Sequence, residues 1–203
     1  MTAPQPSARL TRDDLEVGLR DLIRRLQEHD EPVALRIIGG AAIALWHNAA
    51  RGATQDIDAV LTPADVILAT ARTVAAQHLW PEDWINDQAK MFLPSGIGVR
   101  GEEWELVYSR GSVTIQVASL DMLIAMKLNA AQRRARREYE DLRALLAERE
   151  ITTASEAEAL FEDFYPGDGL NDTAYRILGL ALENPQQPVV TPPDLDTPPN
   201  PLQ

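Results

Sequence analysis

Residues 33–61 of the chain read VALRIIGGAAIALWHNAARGATQDIDAVL, and this stretch decides the predicted fold. It opens with a short apolar run over residues 33–38, which ends at Gly39-Gly40. Residues 41–50 are rich in alanine, which favours a helix. From residue 55 to 61 polar and apolar side chains alternate, as they do in a strand with one buried face. The stretch therefore predicts a strand, a glycine turn, a helix and a second strand.

Outside this stretch, helical periodicity and turn residues predict the remaining elements. Seven of the last nineteen residues are proline, a composition that extends a chain rather than packing it. We expect helices over residues 11–29, 63–78, 119–134, 137–149, 155–164 and 172–183, a long loop over 80–100, and a hairpin of strands over 104–108 and 113–118.

Composition excludes several classes of protein. The chain has no cysteine, so it has no disulfide framework, no zinc–thiolate site and no thiol nucleophile. Its three histidines form no HExxH pattern, which argues against zinc hydrolases. No apolar run reaches the roughly 18 residues of a membrane span, and the N-terminal stretch lacks the apolar core of a signal peptide. We therefore expect a cytoplasmic protein without a membrane partner.

The net charge of −12 is concentrated towards the C-terminus. Residues 150–203 hold ten acids and one arginine, so residues 1–149 carry a charge of only −3. Residues 127–149 hold seven bases and four acids, including Arg133, Arg134, Arg136 and Arg137. A polyanion can dock on such a cluster, although bunched arginines are more often a solvated helix junction.

Gly39-Gly40 and the later Asp56-Ile57-Asp58 together indicate a site for phosphate and metal. Glycines at a strand-to-helix turn let a ligand approach the backbone, and the N–H groups at a helix start attract phosphate. Two carboxylates at positions i and i+2 of a strand project from the same face, where they can bind one or two Mg²⁺ ions. A triphosphate beside such metals is the arrangement that phosphoryl or nucleotidyl transfer requires. Each motif is weak evidence alone, and the two in this order favour nucleotide binding.

These motifs belong to a longer series of segments that resembles the nucleotidyltransferase superfamily. Within it, the chain is similar to the minimal, abortive-infection (AbiEii-type) toxin branch. The resemblance covers about residues 33–165 and is specific in the order of the segments rather than in any one of them. The segments are IIGGAA (37–42), RGATQDID (51–58), WINDQAK (84–90), VAS (117–119), MKL (126–128) and REYEDL (137–142).

The resemblance implies an α+β fold, in which a small mixed sheet of the nucleotidyltransferase type is flanked by helices. With the patterns above, it divides the chain into a disordered lead-in (1–10), a nucleotidyltransferase core (11–120), a helical C-terminal part packed on the core (121–184) and a disordered proline-rich tail (185–203). It also implies Mg²⁺ as cofactor and nucleotide transfer from a nucleoside triphosphate, for some members onto the 3' end of tRNA. For a toxin of a type IV-like toxin–antitoxin system, a cognate antitoxin is a further expected partner.

Four more residues are candidates for this site, and three of them have a plainer alternative. Lys127 lies at the edge of an apolar helix face, where it either snorkels to solvent or neutralises the triphosphate, as the resemblance also suggests. Asp141 either fringes an apolar stripe or orients Lys127 or a metal-bound water. Arg51 can hold a phosphate with its fork of donors while Thr54 braces the loop, but Arg51 is nearly as well explained as a surface residue.

One feature of the family is missing from the expected place. Nucleotidyltransferases commonly have a third carboxylate on a neighbouring strand, but the best-placed side chain on the second hairpin strand is Gln116, which cannot ionise. Glu103 and Glu105 on the preceding strand are the substitutes, and Glu105 is preferred because it alternates with the apolar Trp104 and Leu106. If neither reaches the metal, the enzyme is slow, substrate-assisted or inactive.

The sequence therefore supports three functional hypotheses. The first is a Mg²⁺-dependent nucleotidyltransferase that acts on RNA as a toxin. The second, motivated by the missing carboxylate, is a degenerate member of the fold that binds nucleotide or regulates a partner. The third is a nucleotidyltransferase with a small-molecule acceptor.

Overall fold

The computed structural model describes residues 9–95 and 98–196. These residues form an α+β protein with a five-stranded, mixed, open sheet. No helix in these residues is both long enough and apolar enough to cross a membrane. The strands are β1 (Val33–Ile37), β2 (Ile57–Thr62), β3 (Ile85–Asn86), β4 (Trp104–Arg110) and β5 (Val113–Ala118). The α-helices are α1 (Arg12–Leu26), α2 (Gly39–Ala42), α3 (Ala64–His78), α4 (Leu120–Glu148), α5 (Ala154–Phe164) and α6 (Asp172–Glu183).

The strands lie in the order β3-β2-β1-β5-β4, with β1 at the centre. Strand β1 pairs antiparallel with β2 and parallel with β5, so Ile37 lies opposite both Ala59 and Val117. Strand β3 runs parallel to β2, and β4 runs antiparallel to β5. The side chains on the face of Ile37 are buried along all three central strands, whereas most on the opposite face, including Arg36 and Asp58, are half-buried. The more open face therefore carries the polar groups.

The predictions of helix α1, the β4–β5 hairpin and helix α6 are confirmed. Helix α1 begins after Thr11, whose side chain forms a capping box with Asp14, and its leucine stripe is buried. The predicted hairpin is present, with Gly111 at a φ of 58° in the turn between its strands. Helix α6 begins and ends at the predicted residues.

Several element boundaries differ from the expectation. The predicted helix over residues 41–50 continues α2 only as a π-helical turn, Ile43–His47. The predicted loop over residues 80–100 contains β3 and a 3-10 helix, Gln88–Phe92. Strand β3 is only two residues long, which is too short for an alternating pattern to reveal it.

The two helices predicted over residues 119–149 form one helix, α4, with a kink at Arg134. The backbone at Arg134 leaves the helical region, with φ −138° and ψ 45°. Ser119 caps the helix by accepting a hydrogen bond from the backbone N–H of Met122 at 3.1 Å. Like charges at Arg133 and Arg137, one turn apart, weaken a straight helix at this point.

The ends of the described chain contact the rest of the protein, which differs from the expectation of disorder. Leu10 is buried and pairs with Thr54 through two backbone hydrogen bonds of 2.7 and 3.0 Å. Near the C-terminus, the carbonyl oxygen of Val189 accepts a hydrogen bond of 2.7 Å from Ala49, and Leu195 is buried. Residues 185–196 thus run across the surface in an extended form. The remainder of the predicted lead-in and tail, 1–8 and 197–203, lies outside the described residues.

Candidate functional site

Asp56 and Asp58 lie at the start of β2, at the edge of the open sheet face. The backbone carbonyl of Asp58 accepts a hydrogen bond of 3.0 Å from Ile38, which fixes the strand against the end of β1. The side chain of Asp56 accepts a hydrogen bond of 3.0 Å from Nδ2 of Asn86 in β3. Asn86 matched a family segment in the sequence but had no assigned role there. Its role here is to orient the first carboxylate.

The surroundings of the Asp56 and Asp58 carboxyl groups disfavour their ionised forms. Burial raises the pKa of Asp56, and the neighbouring charge of Asp58 raises it further against the hydrogen bond from Asn86. Burial also raises the pKa of Asp58, although Arg134 and Lys127 oppose this effect. A bound cation removes this cost because it neutralises both carboxylates. Neighbouring groups therefore do not fully compensate the ionised pair, in contrast to Asp141.

The two glycines allow side chains of the site to approach the backbone. Gly39 has a φ of 67°, which disfavours other residues, and a Cβ atom there would lie 3.2 Å from Oδ2 of Asp58. A Cβ atom on Gly40 would lie 2.8 Å from Nη2 of Arg51 and 3.1 Å from Oγ1 of Thr54. The glycines were expected to cradle a phosphate. In the structure their surfaces face the carboxylate of Asp58 and the guanidinium of Arg51.

Replacement of Gly39 by alanine tests this close packing. We expect Gly39→Ala to lower the free energy of unfolding by about 1–2 kcal/mol, because the positive φ becomes strained. The matched control is Gly52→Ala, since a Cβ atom at Gly52 meets nothing within 4 Å. Urea denaturation measures both. An equal effect of the two substitutions would contradict the assigned constraint at Gly39.

Lys127 is one of five residues in a network of opposite charges, and it is 8% exposed. Its Nζ atom lies 2.6 Å from Oε2 of Glu138 and 2.7 Å from Oδ2 of Asp141. Arg51 binds the same Asp141 carboxylate with two donors, at 2.6 and 3.1 Å. Nε of Arg134 lies 2.7 Å from the second oxygen of Glu138. Three cations thus surround two buried carboxylates beside Asp58.

This network gives both Lys127 and Arg51 a carboxylate partner. Neither residue is an unpaired cation waiting for phosphate, because each is bound to Asp141. Asp141 orients Lys127, as one of the two sequence interpretations proposed. Burial disfavours the charged form of Asp141, but Lys127 and Arg51 outweigh it and hold the pKa of this carboxyl below its ordinary value.

The kink at Arg134 brings the network together. A straight helix rises about 1.5 Å per residue, so Lys127 and Glu138 would be about 16 Å apart along it. That separation exceeds the reach of the two side chains. With the kink, the arms of α4 fold towards each other and the ion pair forms inside the angle. Glu138, which is 1% exposed, was missed because its role depends on this bend.

Thr54 braces the loop before the aspartates, as expected. It is buried, and its hydroxyl donates a hydrogen bond of 3.4 Å to the carbonyl of Asp56. Its backbone pairs with Leu10. The loop is therefore held at two points: Arg51 binds Asp141 of α4, and Thr54 pairs with Leu10.

The structure does not bring Glu105 to the aspartates. Glu105 pairs with Val117 and so lies on the same sheet face as Val117, which is opposite to the face of Asp58. Glu103 binds Arg100 with both oxygens, at 2.7 and 2.5 Å, and its pKa is lowered chiefly by these hydrogen bonds. Extending the register of β1 and β5 by one residue places Ala118, not Gln116, level with Asp58. An alanine thus occupies the position from which a third acid would reach the pair.

The fit of Mg²⁺ to this site rests on Asp56 and Asp58. In residues 9–95 and 98–196, no group of three or more His, Cys, Asp or Glu side chains forms a metal site. Mg²⁺ does not require one, because it is usually held by one or two carboxylates, waters and substrate phosphates. The two carboxylates therefore fit a magnesium ion that substrate phosphates share.

Asp58 opens onto a cavity of about 130 Å³, which we call the Asp58 cavity. It is smaller than typical ligand pockets of roughly 300–1,000 Å³. A nucleoside triphosphate can place only part of itself inside, with the rest at the surface. The polar lining consists of Asp58, Lys127, Asn129, Arg133 and Arg134.

The raised pKa values predict how magnesium binding depends on pH. A cation binds only the ionised carboxylates, so binding fails at a pH above the ordinary carboxyl pKa of 3.8. We expect Mg²⁺ to raise the unfolding temperature at pH 7 and to lose this effect as the pH falls through the raised pKa values. Thermal unfolding with and without Mg²⁺, from pH 4 to 8, measures this. The variant with both Asp56→Asn and Asp58→Asn should show no Mg²⁺ shift at any pH, and a full shift in that variant would contradict the site.

Comparison with known proteins found no relative: the chain matches no protein-family model, no curated protein and no solved structure.

Proposed function

We propose that the chain is a Mg²⁺-dependent nucleotidyltransferase with a fold of the nucleotidyltransferase type. The observation that carries this proposal is the pair of Asp56 and Asp58, whose pKa values are raised, together with the cation-lined cavity that Asp58 borders. Structural carboxylates are normally paired, as Asp141 is. An uncompensated pair at an open cavity favours a cation and a polyphosphate as ligands.

Different residues bind the metal, contact the phosphates and position these groups in the proposed reaction. Asp56 and Asp58 hold the metal, which when bound screens the leaving pyrophosphate and activates the attacking hydroxyl. Arg134, whose side chain is 56% exposed, faces the phosphates together with the partly neutralised Lys127. The acceptor hydroxyl loses its proton to solvent and forms a bond to the α-phosphorus, the bond to the bridging oxygen breaks, and pyrophosphate leaves. Asn86 and the network around Asp141 keep these groups in place.

RNA, and in particular the 3' end of tRNA, is the proposed acceptor. Arg133, Arg134, Arg136 and Arg137 are exposed beside the site, and Arg137 also lines a separate cavity of about 410 Å³ with Arg9 and Arg51. Phosphate contacts make binding salt-dependent because counterions are released. tRNA affinity that falls steeply with salt supports this acceptor, and salt-insensitive binding of the acceptor favours a small molecule.

A toxin of a type IV-like toxin–antitoxin system is the proposed biological role, and it rests on the sequence resemblance. Induced expression should stop bacterial growth for the wild-type chain and not for Asp58→Asn at equal protein levels. A cognate antitoxin would restore growth. Equal growth with both chains would contradict the role as a toxin.

A nucleotide-binding or regulatory protein is the second candidate, and Ala118 favours it. With alanine level with Asp58, the described residues supply only two metal ligands, and catalysis is expected to be slow at best. Tight nucleoside triphosphate binding without turnover would favour this candidate over the enzyme.

Transfer of label from an α-labelled nucleoside triphosphate tests the enzyme directly. The protein is incubated with Mg²⁺, each of the four triphosphates and either a tRNA pool or small-molecule acceptors. The proposal expects multiple turnovers onto one acceptor class and none in the presence of EDTA. Inert wild-type protein with every acceptor would contradict it.

A further inference from the structure

We propose that the Asp58 cavity is a seat for the base of the nucleotide, formed by Phe92 and Asn129. This inference rests on the proposed function, because it places the base of the same triphosphate whose phosphates approach Asp58. The cavity is too small for the whole ligand, and its lining combines charged side chains with apolar ones.

The walls of the cavity suit a flat, largely apolar group. The carbon-rich part of the lining consists of Ile38, Leu123, Met126, Ala130 and Phe92. Base faces stack favourably on such surfaces and on aromatic rings in particular. A phosphate alone gains nothing from these walls.

Phe92 is exposed in a way that core packing does not explain. It ends the 3-10 helix Gln88–Phe92, it is 43% exposed, and it lines the cavity. The guanidinium carbon of Arg133 lies 5.0 Å from the centre of its ring, so a cation already interacts with this aromatic group. A base that stacks on Phe92 lies within reach of the same guanidinium, which also stacks well on bases.

Asn129 supplies polar groups for the edge of the base, beside a tyrosine that fixes Phe92. The hydroxyl of Tyr165 donates a hydrogen bond of 2.8 Å to the backbone carbonyl of Phe92. Burial raises the pKa of Tyr165 to about 12, so this hydroxyl stays protonated. An amide has one acceptor and two donor hydrogens. The Asn129 amide can therefore both donate to and accept from the edge of a base.

A comparison of nucleoside triphosphates with inorganic tripolyphosphate tests the seat. Both carry three linked phosphates, and only the first carries a ribose and a base; the differences among the four bases and the Phe92 variants below separate the base from the ribose. With Ca²⁺ in place of Mg²⁺ to suppress turnover, calorimetry should show at least one nucleoside triphosphate binding tenfold or more tightly than tripolyphosphate. Equal affinities of all four triphosphates and tripolyphosphate would overturn the inference.

Substitutions of Phe92 and Asn129 test whether these two residues cause the tighter binding of nucleoside triphosphates. Phe92→Ala should weaken binding of the preferred triphosphate by roughly 5- to 150-fold, as loss of base stacking does, and should leave tripolyphosphate binding unchanged. Phe92→Trp should retain the affinity. The control Met91→Ala, at the neighbouring 77% exposed residue, should change neither. Asn129→Ala should reduce the differences in binding affinity among the four nucleoside triphosphates.

The outcomes separate this inference from the proposed function. Equal weakening of triphosphate and tripolyphosphate by Phe92→Ala would overturn the seat while leaving phosphate binding at Asp58 intact. Base-dependent binding without any transfer would support the seat and contradict the enzyme. If wild-type protein binds neither compound, both proposals fail.

Discussion

Asp58→Asn is expected to reduce nucleotide transfer by roughly 100- to 1,000-fold, because loss of a metal ligand removes several kcal/mol of transition-state stabilisation. Asparagine keeps the shape of the side chain and removes its charge. The fold should persist, since burial raises the pKa of Asp58 and its ionised form opposes folding at neutral pH. We therefore expect an unfolding temperature at least as high as that of the wild-type protein in the absence of Mg²⁺.

The matched control for this substitution is Asp65→Asn. Asp65 is an exposed acid in the first turn of α3, so its replacement makes the same chemical change away from the site. Transfer should stay within about twofold of the wild-type rate, since surface substitutions away from such a site usually have small effects. Equal activity of Asp58→Asn and Asp65→Asn would remove Asp58 from the mechanism.

Lys127→Met is expected to lower the free energy of unfolding by about 3–5 kcal/mol, the cost of breaking a buried ion pair from one side. Methionine has a similar length and no charge. Its introduction leaves the carboxylates of Glu138 and Asp141, which are 1% and 4% exposed, without their shared cation. Urea denaturation at pH 7 measures the loss.

The control is Lys90→Met, at the other lysine of the chain. Lys90 also has an ion pair, at 2.6 Å to Asp87, but its side chain is 55% exposed. Exposed pairs of this kind contribute about 0–1 kcal/mol. If the two substitutions destabilise the protein equally, the network around Lys127 does not hold the arms of α4 together.

Local signals in the sequence predicted the parts of the fold that depend on neighbours along the chain. The capping box at Thr11, the hairpin turn at Gly111 and the alternation around Asp58 all follow from residues a few positions apart. The pairing of Asp141 with Lys127 was also anticipated as one of two alternatives.

Features that depend on long-range geometry were not predictable in this way. The partnership of Glu138 with Lys127 requires the kink at Arg134: the sequence placed a break between two helices there, but not the direction in which the second arm turns. The position of Glu105 on the wrong sheet face follows from strand register, which one strand alone does not reveal. Gly40 accommodates Arg51, eleven residues along the chain, a contact that a turn signal does not encode.

The most direct test of the account is a crystal of the wild-type protein soaked with Mn²⁺ and a non-hydrolysable nucleoside triphosphate. We expect an anomalous peak bound by a carboxylate oxygen of both Asp56 and Asp58, at about the 2.0–2.2 Å typical of such small divalent cations, with phosphate oxygens completing its coordination. A triphosphate bound elsewhere, or a pair of aspartates that stays metal-free at saturating Mn²⁺, would contradict the central claim.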